Sequence, residues 1–128
     1  MSVKNNLLSI KEGINSNVCL VAVSKTKPKE LILEAYESGH TVFGENKVQE
    51  LVDKYEALPK DIKWHMIGHL QTNKVKYIAP FINLIHSIDS IKLIKEINKK
   101  AKSNDRVTDC LIQVHIAKED SKFGIPLS

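Results

Sequence analysis

The chain has little of what would mark a secreted, membrane-spanning or nucleic-acid-binding protein. Two of its 128 residues are cysteine, too few for a disulfide framework. Cys19 and Cys110 each sit in apolar runs that read as buried strands, with no CxxC partner or basic cluster nearby. Free thiols are the expectation, and a reactive pair is the sharper alternative. No stretch approaches the ~20 apolar residues of a membrane span, and the N-terminus carries no apolar core long enough for a signal peptide, so a cytoplasmic protein is expected. Aromatic residues make up 5% of the chain and do not alternate with basic ones, which leaves a nucleic-acid surface unsupported. Glycine is scarce, at five residues, and Gly44 has no glycine neighbours. Phosphate loops of the P-loop or dinucleotide type are therefore absent. No repeat, low-complexity tract or linker divides the sequence, and residues 1–128 read as one domain.

What is present is an ordinary globular balance, 42% hydrophobic and 27% charged, with a formal charge of +4. Mixed charges, as in Lys92-Leu93-Ile94-Lys95-Glu96, mark solvated helix faces, and the small basic excess is weak support for an anionic ligand.

One kind of unit recurs along the chain. Residues 18–23 form a nearly continuous apolar run rich in β-branched side chains, the pattern of a strand covered on both faces. Pro28 then opens a helical stretch over residues 30–36, with Pro favoured at a first helical position, and Gly39 is placed to end it. The alternation continues with a strand at 41–43 and an amphipathic helix at 47–58 whose stripe is Val48, Leu51, Val52, Tyr55 and Leu58. A strand at 63–67, a short helix at 72–79 and a strand at 83–88 follow. Next come a helix at 90–102 through Ile91, Ile94, Ile97 and Ala101, and a strand at 109–116. The first fifteen residues read as a further helix. Five strands separated by helices predict an α/β fold with a parallel sheet. A closed (β/α)₈ barrel needs about 200 residues or more. The expectation is therefore about five parallel strands of a partial (β/α)₈ TIM-type barrel, or a small open α/β domain. The ending, Ser121-Lys122-Phe123-Gly124-Ile125-Pro126-Leu127-Ser128, reads as a loop starting another unit and favours the barrel.

Ligands of parallel α/β folds bind at the carboxyl ends of the strands. Those positions hold Ser24, Lys25, Thr26 and Lys27; Gly44, Glu45, Asn46 and Lys47; Gly68, His69, Leu70, Gln71, Thr72 and Asn73; Asp89 and Ser90; and Lys118 with Ser121-Lys122. Lys25 is the sharpest of them. At the mouth of a sheet, a partly desolvated lysine keeps a neutral amine that attacks an aldehyde to form a Schiff base, and pyridoxal phosphate is the aldehyde cofactor most often held so. On spacing alone, an exposed loop lysine is the commoner outcome. His65 and His69 stand four apart, but Met66-Ile67-Gly68 between them contains no glutamate and reads as a strand end, so no metal site is expected. His65 reads as a strand residue pointing inward and hydrogen-bonded to a neighbour. His40, His86 and His115 lack partners at ligand spacing.

Five segments in register resemble one family. Ala22-Val23-Ser24-Lys25-Thr26-Lys27-Pro28 is similar to the cofactor-lysine segment of the pyridoxal phosphate homeostasis proteins, the YggS/PROSC family. Phe43-Gly44-Glu45-Asn46-Lys47-Val48-Gln49-Glu50 and Trp64-His65-Met66-Ile67-Gly68-His69-Leu70-Gln71-Thr72-Asn73-Lys74 resemble its second and third signatures. His86-Ser87-Ile88-Asp89-Ser90 and Ser121-Lys122-Phe123-Gly124-Ile125 resemble later ones.

The resemblance implies a barrel like the N-terminal domain of alanine racemase, called PLP fold type III, and a role in intracellular PLP homeostasis without ordinary turnover. It implies pyridoxal 5'-phosphate as a Schiff base on Lys25, with Asn46 and His65 lining the cofactor pocket. Members of the family are longer, with their main phosphate-binding groups in a second half, so this chain resembles their N-terminal portion. A half-barrel exposes apolar strand edges, for which self-association is the expectation. Two other readings stand beside this one: a racemase or decarboxylase of the same barrel type, and a cofactor-free α/β interaction module.

Overall fold

Apolar segments alternate with amphipathic ones along the chain, and they fold as strands and helices, the helices packed on one side of the resulting sheet. The computed structural model describes residues 2–115 and 125–126. In chain order these are α1 (Val3–Glu12), β1 (Ala22–Val23), α2 (Lys29–Glu37), β2 (Val42–Glu45), α3 (Val48–Ala57) and β3 (Lys63–Met66). A 3₁₀ turn (Thr72–Lys74) runs into α4 (Val75–Ile78), followed by β4 (Leu84–Ile88), α5 (Ile91–Ser103) and β5 (Asp109–Ile112). All five strands are parallel, in the order β1-β2-β3-β4-β5. That is the order of consecutive β/α units in a TIM-type barrel, here as a partial barrel. Short strands β6 (Val114–His115) and β7 (Ile125–Pro126) pair in parallel as a separate two-stranded sheet. The Lys118, Ser121-Lys122 and Phe123-Gly124 positions singled out above lie outside the described residues.

Local chemistry accounts for the helix ends. Ser2 Oγ accepts from the Asn5 amide at 3.1 Å and caps α1, and Ser90 Oγ accepts from the Leu93 amide at 3.1 Å and caps α5. Helix α2 stops where Gly39 adopts φ +101°. There the Gly39 amide donates to Tyr36 O and the His40 amide to Ala35 O, which is a Schellman closure. Pro28 precedes the first helical residue rather than occupying it, and its carbonyl accepts the first bonds of α2.

The register sorts the two faces of the sheet. Phe43 pairs with Trp64 and Met66 with Ile85. These four side chains face the helices, where Ile32, Leu51, Val75, Ile78, Leu93 and Ile97 join them in one buried cluster. Burying each such side chain contributes about 1.5–3 kcal/mol. The opposite face carries a continuous paired row, Val23–Gly44–His65–Leu84–Asp109.

Three expectations need correction. Only Ala22 and Val23 of residues 18–23 form a strand, Cys19 is exposed, and Val23 is 54% exposed. The apolar run predicts a strand covered on both faces, but β1 is an edge strand, and backbone without a second neighbour has nothing to extend its ladder. The buried stripe of α5 is Leu93, Ile97 and Ala101, while Ile91 is 56% exposed at the first turn. The last strand of the main sheet ends at Ile112, short of the expected 109–116.

Candidate functional site

The strand ends of β1 to β4 converge on one rim, and the first of them carries Lys25. The Ser24 amide donates to Gly44 O at 3.0 Å, which continues the β1–β2 ladder by one residue, and the chain then turns. The Lys27 amide donates back to Ser24 O at 3.0 Å, with Lys25 and Thr26 as the two central residues of the turn. Thr26 has φ +63°. A β-branched residue seldom occupies that region, so surrounding bonds must hold it there. Lys25 is exposed. The partial desolvation expected of it is not supplied by the described residues, because the sheet's inner face has no opposite wall among them.

Asn46 follows the last residue of β2 and is half-buried. Its backbone lies so close to the β3 end that only glycine fits opposite. A Cβ on Gly68 would stand 2.5 Å from Asn46 O and 2.9 Å from Asn46 Cα. Asn46 also lines a groove of about 420 Å³ with Lys47, Gln49, His69, Gln71 and Lys74.

His65 is buried at 4% exposure and lies on the inner face, in the row with Val23 and Gly44. Its Nδ1 is 3.1 Å from Nε2 of His86 on the neighbouring strand, and its Nε2 is 3.5 Å from Asn83 Nδ2. Burial holds the His65 ring below the ordinary histidine range, and the adjacent His86 adds to this; burial lowers His86 too. The inward, hydrogen-bonded reading of His65 holds, and its partner is a histidine that sequence spacing does not connect to it. His65 is the third residue of β3, level with Gly44 rather than with Asn46. Lys25, Asn46 and His65 thus belong to three adjacent strands and one end of the sheet, and they do not line a common cavity among the described residues. Gly44 keeps the inner face shallow between them. A Cβ there would meet the Ile67 side chain at 3.0 Å and Val21 Cγ1 at 3.1 Å.

A second set of polar groups lies on the helix side, where Ser24, Glu45 and Glu50 of the quoted segments meet Lys54, which belongs to none of them. Glu45 is fully buried, Ser24 3% exposed and Lys54 4% exposed. Lys54 Nζ donates to Ser24 O at 2.7 Å, to Glu45 Oε2 at 2.9 Å and to Glu50 Oε2 at 3.1 Å. Ser24 Oγ donates to Glu45 Oε2 as well. Glu50 Oε2 accepts the Thr26 amide at 2.8 Å. Burial pushes the Glu45 carboxyl up, against the pull of Ser24 and Lys54. Glu50 is held low: its burial, which acts the other way, is outweighed by bonds from Lys54 and the Thr26 amide. The signal present in the sequence is Lys54 itself, three residues after Leu51 and four before Leu58 on the apolar stripe of α3.

Elsewhere on the rim, His69 Nδ1 lies 3.2 Å from Asp89 Oδ2 and ties the ends of β3 and β4. Among the described residues no group of three or more His, Cys, Asp or Glu could hold a metal ion. Both cysteines are free, and burial and Asp109 push the Cys110 thiol up, the opposite of an activated thiolate. No described helix is long and apolar enough to cross a membrane.

The rim thus carries an exposed primary amine just after β1 and a half-buried amide just after β2, with a buried imidazole within β3. The family described as "Alanine racemase, N-terminal domain" matches residues 1–127. The pyridoxal phosphate homeostasis protein of Aquifex aeolicus is 50% identical over 83% of this chain and 47% of its own length. That of Haemophilus influenzae is 39% identical over 98% of this chain and 58% of its own. The chain thus spans about half the length of these curated relatives. Among solved structures, PipY of Synechococcus elongatus with PLP bound is 34% identical, with a TM-score of 0.86 over 97% of this chain and 58% of that one. Alanine racemase from E. faecalis, at 11% identity and a TM-score of 0.70 over 96% of this chain and 34% of that one, shares the fold.

Proposed function

The chain belongs to the alanine racemase N-terminal domain family, and we propose that it binds pyridoxal 5'-phosphate through a Schiff base on Lys25, as part of a protein of intracellular PLP homeostasis. The observation that carries this reading is the place of Lys25, in a tight turn at the carboxyl end of β1 with backbone bonds on both sides. In that linkage the Lys25 nitrogen would take the place of the aldehyde oxygen, one C=N bond forming with loss of one water. Asn46 and His65, from the next two strands, border the same end of the sheet and contact the cofactor. The names of the relatives and the bound PLP of the PipY structure support the cofactor. The proposed activity is holding and releasing PLP rather than turning over an amino acid, in the cytoplasm, where thiols such as Cys19 and Cys110 stay reduced.

The test is borohydride reduction with PLP present, followed by peptide mapping. The pyridoxyl label should fall on Lys25. A label chiefly on Lys27, or scattered over surface lysines, sinks the proposal, and racemisation of alanine by the same sample would restore the enzyme reading.

Self-association belongs to the same reading. Val23 on β1, and Leu111 and Ile112 on β5, are each more than half exposed on the two edge strands, and such edges are normally paired or covered. Light scattering should show a mass that rises with concentration; a constant 14.4 kDa species would exclude it.

A further inference from the structure

The buried network on the helix side grips the chain immediately before and immediately after Lys25. Ser24 O accepts from Lys54 Nζ and from the Lys27 amide. The Thr26 amide donates to Glu50 Oε2. Lys54 joins these two anchors, since its ammonium also donates to Glu50 Oε2 and to the fully buried Glu45. Glu50 and Lys54 are one turn apart on α3, so a rigid helix carries both.

From this geometry we infer that Glu50 and Lys54 are positioning residues for Lys25, an inference that rests on Lys25 being the amine that takes the aldehyde. Their bonds go to the backbone at 24 and 26 rather than to the Lys25 side chain, and so fix the Cα from which the amine extends. The φ of +63° at Thr26 shows that the turn needs holding. A threonine left to itself favours negative φ, and that relaxation would swing Lys25 away from the rim. Reactivity of an amine toward an aldehyde depends on such placement, because a misplacement of about 1 Å lowers a rate by roughly a hundredfold. Glu50 is the better handle of the two. Its side chain is 27% exposed, against 5% for Lys54, so a substitution there leaves the core packed.

The experiment compares the full chain with Glu50→Ala, which removes the acceptor, and Glu50→Gln, whose amide oxygen can still accept from Thr26. Two quantities are read. One is hydrogen exchange of the Thr26 amide, measured without cofactor. The other is the ratio of pyridoxyl label on Lys25 to that on Lys27 after brief reduction with PLP, an internal comparison that differences in labelling efficiency between samples do not move, read under conditions where each variant is folded. Glu50→Ala should raise Thr26 exchange about tenfold, the loss of one hydrogen bond to a charged group, and should lower the Lys25:Lys27 ratio by a similar factor. Glu50→Gln, which keeps an acceptor but loses its charge, should fall between the alanine variant and the unsubstituted chain in both. Faster Thr26 exchange with an unchanged label ratio would show that the network merely ties α3 to the sheet, and would overturn the inference alone. An unsubstituted chain that shows no preference for Lys25 would overturn the cofactor reading, and the positioning role with it.

Discussion

Lys54→Met removes the cation from a cluster in which Glu45 is fully buried and Lys54 5% exposed by side chain. Methionine keeps the volume and apolar length of the stem, so the change isolates the charge. Deleting one partner of a buried ion pair costs about 3–5 kcal/mol, because the other charge is left without compensation. Here the lower end applies. Ser24 O keeps the Lys27 amide, Glu45 keeps the Ser24 hydroxyl, and the Glu45 carboxyl, already pushed up by burial, escapes its charge by taking a proton.

A cost of about 3 kcal/mol at pH 7 corresponds to a fall of roughly 12 °C in Tm for a domain of this size. The sign of its pH dependence follows from linkage. An acid whose folded pKa lies above its unfolded value destabilises the fold as pH rises past the unfolded value and ionisation is forced. The deficit of Lys54→Met relative to the unsubstituted protein should therefore shrink as pH falls from 7 to 5. Pairing it with Glu45→Leu, which removes the stranded carboxyl, should recover most of the loss, to within about 1 kcal/mol of the starting protein. Urea unfolding followed by the fluorescence of Trp64, the single tryptophan and 1% exposed, measures all four corners of the cycle. A single-variant cost below about 1 kcal/mol, or a deficit that does not change with pH, would refute the argument that a buried charge pair governs this region.

Gly68→Ala should destabilise by about 1–3 kcal/mol, since its Cβ would meet the Asn46 backbone at 2.5 and 2.9 Å, where no flexible side chain can yield. A thermal midpoint unchanged within error would show that the two strand ends are looser than described. His65 and His86 are both held below the ordinary histidine value in the fold. Below about pH 6.5 the unfolded chain therefore binds more protons than the folded one, and stability should decline on acidification through that range. The decline in urea midpoint between pH 7 and 5.5 should be smaller in His86→Leu; an equal or larger decline there would place its origin elsewhere.

Much of the architecture is legible in the amino-acid sequence. Segments such as 84–88, with Leu84, Ile85 and Ile88 apolar, are short and bounded by polar residues, and they become strands because that pattern suits a sheet covered by helices. Gly39 ends α2 as expected, for only a residue free to take φ +101° closes a helix that way at little cost. Lys25, Asn46 and His65 likewise fall on the ends or inner rows of the first three strands, since each follows or lies within an apolar run. Their mutual arrangement is not legible. A strand's period of two tells which face a side chain takes, but the level of His65 against Gly44 depends on inter-strand register, which no local pattern encodes.

The sequence by itself therefore determined the order of elements, the parallel sheet and the lysine at its mouth, because these follow from local periodicity and chain length. Tertiary structure alone decided that β1 shrinks to Ala22–Val23 at an open edge, that His65 meets His86, and that Lys54 leaves solvent to join Glu45, Glu50 and the backbone of residue 24. Those outcomes depend on partners up to 30 residues away. A residue's own neighbours in sequence record its preference for water or for the interior, and the energy of a buried charge or an unpaired edge is set by what the fold brings against it.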